Sequence, residues 1–133
     1  MAWNNVLCMY YSRTGNTKRA MEEIARALNA ELAEIQDGVD RGGTKGWLRS
    51  GLDAVRRSSP KVKFKTRWPL SDYRLVIVGT PVWAGRCSAP VRGFLKQNGR
   101  DIRNASYVVT RGSEDKNEEV FQQMDLYTPC GHR

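Results

Sequence analysis

Residues 6–11 form a nearly continuous apolar run (Val6, Leu7, Cys8, Met9, Tyr10, Tyr11). It stops at a polar, glycine-containing turn, Ser12-Arg13-Thr14-Gly15-Asn16-Thr17. An apolar run without alternation predicts a strand buried on both faces, as in a parallel sheet covered by helices. After the turn, Ala20, Met21, Ile24, Ala25 and Leu28 recur at helical spacing, and Glu22 and Glu23 are placed to pair with Arg26. Strand, polar turn, helix is the first half of a βαβ unit, which leaves few folds open.

The rest of the chain continues the alternation. Residues 31–35 alternate charged and apolar side chains and predict a second strand, one face less buried. The glycine-rich stretch 37–46 predicts a loop, and Trp47, Leu48, Leu52 and Val55 an amphipathic helix with its apolar side inward. Residues 58–71, basic and interrupted by Pro60 and Pro69, predict an excursion that is not a core strand. Residues 75–79 are β-branched and uncharged and predict the most buried strand. A loop at 80–85 follows, then a helix opened by Ser88 and Pro90, with Val91, Phe94 and Leu95 as its stripe and its end at Asn98-Gly99. Residues 107–110 predict another short strand, 111–115 a loop, and 116–124 a last helix carrying Val120, Phe121 and Met124.

This β-α-β-α-β-α-β-α order, in a chain whose 133 residues predict a single domain spanning 1–133, implies a doubly wound parallel sheet with helices on both faces. In such sheets the ligand crevice lies past the carboxyl ends of the strands. The loops at 12–17, 80–85 and 111–115 are therefore expected to converge. The first offers hydroxyls, an amide and backbone N–H groups at a helix N-terminus, which is what a phosphate needs, although a capped turn without ligand has the same composition. It is neither a P-loop nor a G-x-G-x-x-G turn. In the second, Trp83 between Pro81 and Gly85 suits stacking on a planar ring, or is an exposed tryptophan with no role.

Charge and cysteine content narrow the function classes. Residues 41–74 hold ten basic residues against Asp53 and Asp72, while the other 99 residues balance twelve against twelve, so the net charge of +8 belongs to one segment. Such a segment either steers an anionic, acidic partner or is a solvated connection that keeps the chain soluble. Three widely spaced cysteines without a C-x-x-C argue against a disulfide framework and a zinc site, and predict a reducing, cytoplasmic setting with no metal. His132, the one histidine, has no Cys, Asp or Glu cluster beside it in sequence. No apolar run approaches a membrane span and no secretory signal pattern is present, so no membrane association is expected.

Tyr11-Ser12-Arg13-Thr14-Gly15-Asn16-Thr17, together with Val76-Ile77-Val78-Gly79-Thr80-Pro81-Val82-Trp83-Ala84-Gly85, closely resembles the flavodoxin family of FMN-binding proteins. The resemblance runs from Val6 to about Met124. It implies that Ser12, Thr14, Gly15, Asn16 and Thr17 wrap the FMN phosphate, with Arg13 of the same turn also in the cofactor site. It also implies that Thr80, Pro81, Val82, Trp83, Ala84 and Gly85 lie beside the isoalloxazine, with Trp83 stacking and Gly85 near the N5 edge. Arg111, Gly112 and Ser113 would lie along the other side of the ring. No catalytic side chain is implied, since the redox chemistry would be the flavin's. An electron carrier and an FMN-dependent NAD(P)H oxidoreductase of the quinone-reductase kind both remain open, working with a redox partner protein or a small-molecule acceptor.

Residues 111–118 contain no aromatic, the chain is basic where electron-carrier flavodoxins are commonly acidic, and only 125–133 follow the last helix. The sheet order is therefore expected to be 2-1-3-4, with the family's fifth strand missing. The fourth strand would be an edge, covered by a second copy in a homodimer, by the tail, or by nothing. Two other readings compete. A low-molecular-weight tyrosine phosphatase would need five residues between its Cys and Arg, whereas Cys8 and Arg13 have four, as do Cys87 and Arg92, and Cys8 lies mid-strand. An apo flavodoxin-fold interaction module would bind an anionic partner through 41–74. Nucleic acid is the less favoured such partner, because Trp47, Phe64 and Trp68 more simply pack the second helix and its loop.

Overall fold

The computed structural model describes residues 5–39, 41–56, 59–83, 86–110 and 118–128. Five strands and four helices alternate along them: β1 (Val6–Tyr10), α1 (Asn16–Leu28), β2 (Glu31–Glu34), α2 (Gly43–Val55), β3 (Leu75–Trp83), β4 (Arg86–Cys87), α3 (Ala89–Asn98), β5 (Ala105–Thr110) and α4 (Glu118–Asp125). The parallel sheet runs β2-β1-β3-β5, with Leu7 opposite Glu31 and Val76, and Val78 opposite Tyr107. This is the expected order, β5 taking the fourth place. The reversal of strand order falls between β1 and β3, which opens the crevice there.

The sheet is covered on both faces because its central strands are apolar on both. On one face, Cys8, Tyr10 and Ile77 pack against Met21 and Ala25 of α1. On the other, Leu7, Met9, Val76 and Val78 share a larger core with Phe94 and Leu95 of α3 and with Val120 and Met124 of α4. No helix of the described residues is long and apolar enough to cross a membrane.

The main departure from expectation is at 80–83, which continue β3 instead of forming a loop. Thr80 stands opposite Val109 and Pro81 opposite Thr110, while Val82 and Trp83 turn back antiparallel onto β4. Thr80 is fully buried and its hydroxyl is shared with Pro81 O and with the hydroxyl and N–H of Ser88. These local bonds satisfy the Thr80 hydroxyl and the start of α3 beside a proline that has no N–H to give the ladder.

The basic excursion has a structural use. Lys63 exchanges two backbone hydrogen bonds with Gln36, just past β2, at 2.7 and 2.9 Å. Farther along, the Arg67 N–H and the Tyr73 hydroxyl both donate to the Glu31 carboxylate, at 2.8 and 2.5 Å. The segment thus lies along the outer edge of β2. Val62 and Phe64 point to the core, Phe64 edge-on to Phe94 at 5.2 Å, while Lys61, Lys63 and Lys65 are exposed. Lysines on an outermost extended segment discourage further strand pairing. Gly93 of α3 makes room for it, since a Cβ there would overlap the Pro60 carbonyl.

At the other side of the sheet, β5 pairs with β3, and no strand among the described residues pairs with its far edge. The chain after α4 returns to this strand by side chains: the Tyr107 hydroxyl meets Asp125 at 2.9 Å and the Thr128 hydroxyl at 2.8 Å.

Burial pushes the Cys8 thiol up to about 11 from 9.0. Burial, and then the bond to Glu31, pushes the Tyr73 hydroxyl up to about 12 from 10.0. Both groups hold their protons more tightly folded than unfolded. The stability they contribute is complete below the unfolded values and is lost as pH rises through the folded ones. Thermal melts between pH 8 and 12 should therefore show the melting temperature falling on the alkaline side. Tyr73→Phe should fall less steeply above pH 10, and equal slopes would contradict the assignment.

Candidate functional site

The turn at 12–17 is shaped by its own residues. Gly15 adopts φ 97°, a conformation that side-chain-bearing residues rarely take, and its N–H donates to the Ser12 hydroxyl at 3.0 Å. Helix α1 begins at the next residue, with no side-chain cap and no acidic residue in its first turn. Its N-terminal amides and dipole thus face the crevice unneutralised by its own side chains. Thr17 is buried, its hydroxyl 2.7 Å from that of Thr110 at the end of β5. That contact fixes the helix start against the strand that closes the crevice.

Arg13 does something else. Its guanidinium donates to the Arg41 and Gly43 carbonyls, at 2.7 and 2.8 Å. It ties the first turn to the start of α2, two of its guanidinium nitrogens being committed to backbone.

Arg41 is the residue that sequence reading mistook most. Counted among the ten basic residues of the charged segment 41–74, it is buried, with Asp37 Oδ2 at 2.8 Å, Asp53 Oδ2 at 3.0 Å and the Ser50 hydroxyl at 3.3 Å. Asp53 also takes Arg49 from the solvent side at 3.0 Å. Burial alone would lower the Arg41 pKa, but the bonds and attraction of Asp37 and Asp53 outweigh it and leave it raised. The same guanidinium lies 5.0 Å from the centre of the Trp83 ring, within cation–π range.

Trp83 is consequently no exposed indole on a loop. It ends β3, is 9% exposed, and takes Tyr11 edge-on at 5.6 Å. Helix α2 is also turned the other way from expectation. Gly46, Ser50, Asp53 and Ala54 face inward, while Trp47, Leu48 and Leu52 are exposed. Gly46 is required, because a Cβ there would overlap the Arg41 backbone. The inner side of α2 is filled by Arg41 and its partners, so the apolar side faces out.

These elements enclose a cleft of about 820 Å3, within the usual range for small-molecule sites. Thr14, Asn16, Thr17 and Thr110 bring hydroxyls and an amide to it. Pro81, Val82 and Trp83 of β3 form the floor, and Trp47, Leu48, Ser50, Gly51 and Leu52 the α2 wall, with Arg13 also in the lining. Of the residues singled out from sequence, Arg13, Thr14, Asn16, Thr17, Pro81, Val82 and Trp83 line it, whereas Thr80 is buried beneath it. Ser12 and Gly15 shape the turn. Ala84, Gly85, Arg111, Gly112 and Ser113 lie outside the described residues.

Sequence reading missed Arg41, Trp47, Leu48, Leu52 and Thr110. The available signal was the small-residue row Gly46, Ser50, Ala54, spaced four apart, which marks the packed side of α2. Trp47, Phe64 and Trp68 share no surface: Trp47 lines this cleft, Phe64 turns inward, and Trp68 stands beside Asn5 and Asn29. Cys8 is buried mid-strand, and Cys87 is fully buried, its thiol pushed up by burial while Arg92 pulls the other way. No group of three or more metal-ligating side chains occurs among the described residues.

No protein-family model matches the chain, and no curated protein matches it in sequence. Solved structures do resemble it. A Lactobacillus acidophilus flavoprotein in complex with FMN is 22% identical, with 97% of this chain and 88% of that one covered and a TM-score of 0.76. A candidate flavoprotein from Bacteroides uniformis is 20% identical over 97% and 86%, with a TM-score of 0.81. A flavodoxin, WrbA-like protein from Agrobacterium tumefaciens is 15% identical over 96% and 74%, with a TM-score of 0.54. The chain has the flavodoxin-like fold.

Replacing Arg41 by Ala would leave Asp37 and Asp53 facing each other in a buried space, and removing one partner of a buried ion pair costs about 3–5 kcal/mol. Urea unfolding of Arg41→Ala should show a loss of that size together with a changed near-ultraviolet dichroism from Trp83. A loss below about 1 kcal/mol would mean the pair behaves as a surface salt bridge.

Proposed function

We propose that the chain binds FMN in this cleft and acts as a redox protein, passing electrons through the bound flavin. The observation that carries the reading is the division of one cleft into two chemistries. Thr14, Asn16, Thr17 and Thr110 bring hydroxyls and an amide to it at the uncapped start of α1, Trp47, Leu48, Leu52, Pro81, Val82 and Trp83 bring indoles and apolar surface, and Arg13, Ser50 and Gly51 complete the lining. A flavin mononucleotide has the same division, a dianionic phosphate at one end and a tricyclic ring at the other. The fit is supported by the unneutralised N-terminus of α1, which suits an anion.

In this reading Thr14, Asn16 and the first amides of α1 hold the phosphate, while Ser12, Gly15 and Thr17 hold the turn in shape. Pro81, Val82 and Trp83 form the surface under the ring and keep water from it. The flavin, when bound, supplies one- and two-electron chemistry. Arg41 lies behind Trp83 as a fixed positive charge. Either a protein or a small molecule serves as electron-exchange partner, in the reducing cytoplasm that buried, unbridged Cys8 and Cys87 suit.

A protein partner is expected to be acidic. Lys61, Lys63 and Lys65 are exposed in a row, and opposite charge would speed encounter in a salt-dependent way. The competing phosphatase chemistry is disfavoured by Cys8, whose thiol at about 11 stays protonated at neutral pH.

Titration of the purified chain with FMN and with riboflavin separates phosphate recognition from ring burial. FMN should quench, bind and raise the melting temperature, with affinity at least about tenfold above riboflavin, the size expected of charge-assisted hydrogen bonds. Equal affinities would remove the phosphate site, and no binding of either would remove the function.

A further inference from the structure

We propose that Trp47, on the outer side of α2, is a stacking residue for the flavin ring, with Leu48 and Leu52 extending the same wall. This rests on the FMN reading above and adds to it a ring contact from a helix that sequence reading assigned to the core.

Trp83, the indole first expected to stack, is largely spent on the protein. Tyr11 lies against it edge-on, Arg41 sits over its ring, and 9% of its surface remains. It can floor the cleft but offers little area. Trp47 is 63% exposed and lines the same cleft, beside Leu48 at 58% and Leu52 at 45%. Three large apolar side chains held in water on one helix mark a binding surface. The helix cannot roll to bury them, because Gly46 abuts the Arg41 backbone and Asp53 is ion-paired to buried Arg41.

Residues 111–118 contain no aromatic, so an aromatic for the second side of a planar ring has to come from another element. A second copy of the chain fits less well, because Lys45 and Arg49 of this helix and Arg56 just after it are exposed and self-pairing would bring like charges together. Among the described residues, a flat ring whose phosphate is held at Thr14 and Asn16 has this wall and the floor to lie against.

The test is FMN binding to the full chain, read by flavin fluorescence, in the wild type, Trp47→Ala, Trp47→Phe and Trp68→Ala, with far-ultraviolet dichroism to confirm folding. Trp47→Ala should weaken FMN binding about tenfold, as loss of an aromatic stack does. Trp47→Phe should recover most of the affinity, and Trp68→Ala, which stands outside the cleft, should match the wild type. Wild-type binding with Trp47→Ala unimpaired overturns the proposal and leaves the FMN reading standing. The α2 wall would then serve an electron acceptor or another chain. Failure of the wild type to bind FMN overturns both.

Discussion

A single buried guanidinium holds together the parts of this chain that form the cleft. Arg41 joins the loop after β2, through Asp37, to the middle of α2, through Asp53 and Ser50, and lies over the ring that ends β3. Its own carbonyl receives Arg13 from the first turn. Four stretches distant in sequence are thereby fixed relative to one another by charge-assisted bonds in a setting where leaving any of them unmade is costly. A hydrophobic core alone would hold the sheet. It would not say which side of α2 faces inward.

That orientation has consequences for function. Because Arg41 and two carboxylates occupy the inner side of α2, the apolar side is left to line the cleft. The polar end is set by a different device. The positive φ of Gly15 and the bond to Ser12 turn the chain so that α1 starts at the mouth of the crevice. Thr17 then locks that start to β5. Ring wall and phosphate turn come from separate parts of the chain and meet only because β1 and β3 are neighbours.

Most of the sheet was legible from the residues, since strands buried on both faces need uninterrupted apolar runs such as residues 6–11 and 75–78. The parallel sheet and its covering helices followed from alternation, and the order 2-1-3 from the resemblance to flavodoxins. What escaped depended on distant partners. Thr80-Pro81 reads locally as a turn, yet pairing with β5 and β4 draws it into β3. Trp47, Leu48 and Leu52 read as a core stripe because a helical period cannot tell which side of a helix is packed. The small-residue row Gly46, Ser50, Ala54 marks the packed side, but the larger apolar residues give the stronger periodic signal. Formal charge likewise gives no sign that Arg41 of the basic segment is buried, or that alternate lysines at 61–65 guard a sheet edge. The turn at 12–17 was legible as a site, but the work of Arg13 was not, because its partners are backbone carbonyls thirty residues away.

The account stands on the claim that a flavin phosphate sits at the start of α1 while its ring lies between the end of β3 and α2. Amide and indole chemical-shift mapping on the isotope-labelled chain, with and without FMN, tests this most directly. The account predicts shifts concentrated at the amides of Thr14, Asn16 and Thr17 and at the indole N–H groups of Trp47 and Trp83, with Trp68 unmoved. Shifts centred on the loop at 35–39 or on the lysines at 61–65, with the α1 amides unmoved, would contradict it.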